Sequence, residues 1–238
     1  MTSSPTVGVE RVRQALSHGR AVVLPNPAPL TCVVAATTPQ AVNLAKGRPA
    51  GQAVALWIHH SRTVGTVIDA LDLGPDLAAA ARRLLTEERV TLLAPLLEGH
   101  PLPDWMGPAA KDGWTLLFGA RWAPLLPVLE EHPVLYVSSA NRTGHPPAAT
   151  ASDARAMFPD DIPVLDPAEL PGTHEEREGT PRAATTTVRL HPDGSVGLHR
   201  NGAQDRLYPP GGYPDHLRTT YQLPGDRALS ADDRHRTS

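Results

Sequence analysis

With 238 residues, 40% of them hydrophobic and 20% charged, the chain is long and apolar enough to bury a core and does not read as a disordered polymer. The formal net charge of −3 gives no general attraction to nucleic acid or to an anionic membrane. No apolar run approaches the roughly 18 residues of a membrane span. A single cysteine, Cys32, excludes an intrachain disulfide and a cysteine-rich metal site.

Residues 1–8 lack the charged start, apolar stretch and cleavage site of a signal peptide, so a cytoplasmic protein is expected. Val9, Val12 and Leu16 recur at helical spacing before Gly19. Residues 21–24 then read as a short buried strand closed by Pro25, and Pro27 and Pro29 keep the next segment extended. A second strand is expected over 31–36, a helix over 39–46 ending at Gly47-Arg48-Pro49, and a strand over 54–58. Residues 62–93 carry helical patterns broken at Gly74-Pro75, and residues 99–113 read as a loop. A strand over 114–118, a short helix over 124–131 and a strand over 134–137 follow. Next come a polar turn over 141–147, a helix over 152–158 and a hairpin of 185–190 with 195–199 around Pro192-Asp193-Gly194. This alternation predicts one α/β (α+β) domain over 7–202, with 203–238 as a tail or covering arm.

Of the 22 basic residues only Lys46 and Lys111 are lysine. Lys46-Gly47-Arg48 puts two cations in one turn, a point charge and a planar fork that suit phosphate or carboxylate. The bland alternative is a charged helix end that complements the dipole. Residues 138–144, Ser-Ser-Ala-Asn-Arg-Thr-Gly, follow a strand, where small hydroxyls and amides can meet phosphate oxygens or simply form a polar turn. Arg121 and Arg200 each stand at a strand end, and Thr185-Thr186-Thr187 opens a strand with hydroxyls. No Walker loop, G-x-G-x-x-G, G-x-S-x-G or H-E-x-x-H pattern is present, so a serine hydrolase or a metalloenzyme has little support.

In order and spacing, these pieces resemble the YrdC-like family, best known for threonylcarbamoyl-adenylate synthases, over about residues 10–203. The motifs are Val22-Val23-Leu24-Pro25, Lys46-Gly47-Arg48-Pro49, Arg121 with Pro124, and Ser139-Ala140-Asn141 with Gly144. Thr185-Thr186-Thr187-Val188 and Arg200-Asn201-Gly202-Ala203 complete the set. The resemblance implies a twisted, mixed β-sheet flanked by helices around a positively lined cavity. It implies use of ATP with Mg²⁺, no protein-ligated metal, and a product of the threonylcarbamoyl-AMP type made in tRNA modification. By position, Lys46 and Arg48 would be catalytic and phosphate-binding. Ser139, Asn141, Arg121, Thr185 and Arg200 would complete the nucleotide site.

The family loop Pro-Thr-Asp/Glu-Thr-x-Tyr-Gly-Leu is altered here, with Asn26, Ala28 and Leu30 replacing two threonines and the tyrosine of the acceptor pocket. A site that loses hydrogen-bonding groups discriminates strongly against the ligand they served. Three readings follow. The first is an adenylate-forming enzyme with a small-molecule acceptor other than threonine and bicarbonate or carbamoyl phosphate as carbon source. The second is the ordinary tRNA-modification synthase. The third is a non-catalytic nucleotide- or RNA-binding module.

Overall fold

A computed structural model describes residues 7–173 and 181–224. Their strands form one mixed sheet. In chain order these are β1 (Val22–Leu24), β2 (Val33–Ala36), β3 (Ala55–Trp57), β4 (Thr91–Pro95), β5 (Ala110–Lys111), β6 (Trp114–Phe118), β7 (Tyr136–Ser139), β8 (Thr187–Leu190) and β9 (Val196–Arg200). Their spatial order is β1-β2-β7-β3-β6-β4-β8-β9, with β5 hydrogen-bonded to β6 off that path. Neighbours are antiparallel except β3 with β6 and β4 with β8. The helices are α1 (Val7–Ser17), α2 (Pro39–Ala45), α3 (Ser61–Asp69), α4 (Pro75–Arg83), α5 (Leu126–Leu129), α6 (Ala151–Met157) and α7 (Gly212–Tyr221).

Strand side chains alternate between the two sheet faces, and both faces are apolar, so a separate core grows on each. Val34, Ala36, Leu56, Leu92, Leu117, Tyr136 and Val188 pack with α3, α4 and α7 through Val64, Val67, Ala81, Leu217 and their neighbours. Val22, Leu24, Val33, Ala35, Trp57, Phe118 and Val137 pack with α1 and α5 through Val12, Leu16, Val128 and Leu129. Local sequence sets the helix limits. Thr38 caps α2 by accepting from the Ala41 amide at 3.4 Å, and Pro39 sits in its first turn. Thr150 and Asp153 form a capping box that starts α6.

Three regions differ from the pattern reading. Residues 99–113, expected as a loop, contain a short helix over Asp104–Ala109 and the strand β5, which pairs with β6. The helical stretch expected up to residue 93 ends earlier, and Thr91–Pro95 forms the inner strand β4, paired on both sides. Tertiary pairing there overrides the apolar run, whose β-branched Val90 and Thr91 suit a strand. The described part of residues 203–238 contains α7, whose Tyr213, Leu217 and Tyr221 are buried in the core. The Tyr213 and Tyr221 hydroxyls donate to the Glu88 carboxylate at 2.7 and 3.0 Å, which ties α7 to the turn beyond α4. Among the described residues no helix is long and apolar enough to cross a membrane.

If α7 is part of the core, Leu217→Ala, at a site with 0% exposure, destabilises the protein by about 3 kcal/mol. Urea unfolding checks this. A midpoint equal to that of the unaltered chain would mean that α7 contributes nothing to folding.

Candidate active site

The site is built from segments far apart in sequence that the sheet brings together. Asn43, at 0% exposure, donates from Nδ2 to the carbonyls of Ala50 and Gln52 at 3.1 and 2.8 Å, which folds the segment after α2 back on itself. Gly47 adopts φ +65°, so α2 can end in a tight turn that presents Lys46 and Arg48 together. The turn after β7 meets it. Thr143 donates to the Lys46 carbonyl from its amide and its hydroxyl, both at 3.2 Å. Lys46 in turn donates from Nζ to the Ser139 carbonyl and, at 2.7 Å, to Asn141 Oδ1. The Ser139 hydroxyl donates to the same Asn141 oxygen at 2.7 Å, and Arg48 reaches the Ser138 hydroxyl at 3.4 Å.

Above the sheet face of Val33, Ala55, Leu116, Phe118 and Val137 lies a cavity of about 230 Å³. Arg48, Ser138, Ser139, Thr185 and Arg200 line it, and Thr91 and Gln52 add polar groups. The Thr91 and Thr185 hydroxyls are 2.5 Å apart. The far end is formed by Asn26, Leu30 and Thr31. Asn26 is buried and donates from Nδ2 to the Thr31 carbonyl at 3.0 Å, while its Oδ1 has no partner.

The electrostatics follow from burial among like charges. Lys46, at 0% exposure, has its pKa lowered to about 7, first by desolvation and then by Arg48 and Arg200. Burial also lowers the pKa of Arg48, with Arg200 adding to it, and burial lowers that of Arg200. The cavity therefore holds concentrated positive charge with hydroxyls around it, the arrangement that receives phosphate oxygens.

Lys46, Arg48, Ser139, Thr185 and Arg200 thus come together, and Asn26 and Leu30 face the same cavity. Three expected site residues stand elsewhere. Asn141 is consumed by the turn, because its Oδ1 accepts from Lys46 and Ser139 while its Nδ2 donates to the carbonyls of Arg142 and His145. It positions Lys46. Ala28 does not line the cavity. Arg121 donates from Nε to the Ile58 carbonyl at 3.0 Å and faces a different cleft, beyond the ends of β3 and β6. Thr91 was hidden in the apolar run mistaken for helix; its only sequence signal is β-branching next to Val90.

The closing Arg200-Asn201-Gly202 turn is locked by Asp205. Its carboxylate accepts from the Thr186 hydroxyl, Asn201 Nδ2 and the Gly202 amide, each at 2.6 Å. Gly202 has no alternative, since a Cβ would lie 2.2 Å from the Thr186 nitrogen. Burial raises the Asp205 pKa, but these hydrogen bonds outweigh it and the net shift is downward.

No protein-family model and no curated protein matches this chain in sequence. Solved structures do match in fold. P. abyssi Sua5 complexed with L-threonine superposes at TM-score 0.57 and 20% identity over 82% of this chain and 54% of that one. Full-length HypF in its phosphate- and nucleotide-bound form gives 0.60 and 16% over 85% and 25%. E. coli YciO gives 0.56 and 10% over 82% and 88%. The chain therefore has the Sua5/YrdC-like fold, and it spans about half of the Sua5 chain and a quarter of the HypF chain.

Asp205→Ala removes the acceptor of three hydrogen bonds and is expected to cost about 2–4 kcal/mol at pH 7. Because the folded pKa lies below the unfolded one, this contribution is complete above the ordinary aspartate range. It fades as the pH falls through the lowered folded value. Urea midpoints of the two chains should therefore converge in acid; a gap that stays constant to low pH would refute the assignment.

Proposed function

We propose that this Sua5/YrdC-like chain is an ATP-dependent adenylate-forming enzyme of the threonylcarbamoyl-AMP synthase type, acting on an acceptor other than L-threonine. The observation that carries the reading is the convergence of Arg48 and Arg200 on one hydroxyl-lined end of the cavity, with Lys46 buried behind the Ser139 turn beside them. In such a reaction a carbamate-type oxygen attacks the α-phosphorus of ATP, the bond to the β-phosphate breaks, and pyrophosphate leaves. No enzyme nucleophile is needed, and the barrier falls when fixed cations meet the charge that grows on the departing oxygens. Arg48 and Arg200 suit that task from the cavity wall, and Lys46 supports it from behind the Ser139 turn. Mg²⁺ enters with the nucleotide phosphates.

The acceptor end supports a changed specificity. Leu30 presents apolar surface, and Pro27 and Pro29 have no amide to donate to an anionic acceptor group. Asn26 spends its NH₂ group on Thr31. At about 230 Å³ the cavity is smaller than the roughly 300–1,000 Å³ of typical small-molecule sites, so it encloses part of an ATP molecule together with a small acceptor.

Three measurements test the reading. Pyrophosphate release is assayed with ATP and Mg²⁺ across amino acids with bicarbonate, and across amines with carbamoyl phosphate. The expected result is turnover with one acceptor and little with L-threonine. Threonylcarbamoyl-AMP formed as fast as by a standard synthase would make the chain an ordinary tRNA-modification enzyme, and ATP binding without any release would make it a binding module. Lys46→Ala removes the clamp on the Ser139–Asn141 turn that forms the cavity wall and is expected to weaken ATP binding at least about 10-fold; unchanged affinity would remove Lys46 from the site. With a pKa of about 7, Lys46 is mostly neutral at pH 8, and a bound polyphosphate draws a proton onto it. Calorimetry in buffers of different ionisation enthalpy should therefore record proton uptake at pH 8 that disappears in Lys46→Ala.

A further inference from the structure

A second concavity of about 670 Å³ lies where Arg121 was found, and the two linings have no residue in common. Its position follows from the topology. β3 and β6 are a parallel pair, and the cleft sits beyond their carboxyl ends, the place where open α/β sheets take ligands. From the end of β3 the chain passes through His59 and His60 into the start of α3. From the end of β6 it passes to Arg121.

Arg62 from α3, Arg82 from α4 and Arg121 all line the cleft, with Glu130 as its one carboxylate. None of the three makes an ion pair with a described residue. Arginines elsewhere do: Arg13 with Glu131, Arg83 with Glu87, Arg155 with Asp166 and Arg218 with Asp215. Arg121 is half-buried, spends only its Nε on the Ile58 carbonyl, and has its pKa lowered by burial with no carboxylate to offset it. His59 is buried at the floor, with its ring nitrogens 2.9–3.1 Å from the carbonyls of Trp57, Leu129 and His132. The start of α3 adds the positive end of its dipole.

We propose that this cleft binds a small polyphosphate, an anion of two or more linked phosphoryl groups. Guanidinium groups pair with phosphoryl oxygens in a planar, bidentate fashion, and a half-buried cation without a partner is stabilised by the anion it receives. The three guanidinium groups come from three separate elements around a cleft of about 670 Å³, which is more room than a single orthophosphate fills. The proposal is independent of the adenylation reading, since Arg48 and Arg200 line the other cavity and Lys46 is buried behind its Ser139 wall.

The test is calorimetric titration of tripolyphosphate into the full chain carrying Arg48→Gln and Arg200→Gln, which strips two cations from the first cavity. Tripolyphosphate is expected to bind, more tightly than orthophosphate, and to weaken as salt is raised. Adding Arg62→Gln and Arg82→Gln, both surface changes that leave the core intact, should reduce the affinity at least about 10-fold. Arg121→Gln should do the same, and Arg121→Lys should lose less. The proposal fails if tripolyphosphate does not bind in the starting variant, if its affinity survives replacement of all three arginines, or if a short RNA competes for them more tightly than tripolyphosphate does. Pyrophosphate-release activity plays no part in the readout, so failure here leaves the first cavity's assignment standing, and the reverse also holds.

Discussion

The burial of Lys46 among cations is the constraint on which the surrounding structure depends. A buried ammonium beside two guanidinium groups is costly unless its protons are given acceptors. The fold supplies two, the Ser139 carbonyl and Asn141 Oδ1. Both belong to the turn after β7, so the charge of one segment dictates the conformation of another that is more than ninety residues away. Asn141 is fixed in turn by its bonds to Arg142 and His145, and Thr143 closes the loop on the Lys46 carbonyl. The lysine is thus the clamp that shapes the site, while Arg48 and Arg200 bring charge to its wall. A neutral amine has the two N–H groups this clamp needs, which fits a pKa near 7.

The sheet makes this arrangement possible by its strand order rather than by any one strand. β7 is hydrogen-bonded between β2 and β3, so Val33, Val137 and Ala55 share a face and Ser139 stands opposite Val33 at the rim. β4 next to β8 brings Thr91 to the start of β8, where Thr185 and the Asp205-locked turn hold Arg200. A hydrophobic floor with a polar rim results, because side chains alternate along each strand and the strand ends fall together. The same geometry explains the second cleft. β3 and β6 run parallel, so the segments that follow Trp57 and Phe118 leave the sheet at one end and line the second cleft, which shares no residue with the first cavity.

Much of this was legible in the sequence. The turn letters Lys46-Gly47-Arg48, Ser139-Ala140-Asn141 and Arg200-Asn201-Gly202 report local necessities: a left-handed glycine, a side chain that bonds its own turn, a position where a Cβ meets backbone. Such constraints act over a few residues, so sequence reveals them. Two kinds of information escaped. Strand β4 follows a helix after the polar run Thr86-Glu87-Glu88-Arg89, a break whose left-handed Arg89 (φ 61°) is not obvious from its residue type, and pairing with β6 and β8 then decides the state of the next segment. Arg121 sits at a strand end as expected, yet which side of the sheet that end addresses depends on strand direction, which no local pattern carries. Asn141 was placed on the ligand because its type and position suit one, whereas in the structure its whole hydrogen-bonding capacity is used within the protein.

The loop over residues 26–31 at the far end of the cavity is built differently from the cationic end. Its conformation is held largely by main-chain acceptors. The Leu30 amide donates to Pro27, the Thr31 amide to Ala183 and the Ala183 amide back to Pro29, while Arg182 donates to the carbonyls of Asn26 and Leu30 at 3.0 and 2.6 Å. None of these bonds uses the side chain at position 28 or 30, and position 26 contributes a single bond, to Thr31. The main-chain anchoring network is therefore independent of the side chains at 28 and 30, although Leu30 also packs in the core. The cationic end has no such freedom. Lys46 and Asn141 hold one another, and Asp205 holds the turn after Arg200, so a substitution at any of them alters both charge and shape. Shape and charge are therefore coupled at the cationic end of the cavity and largely separate at the Asn26 end.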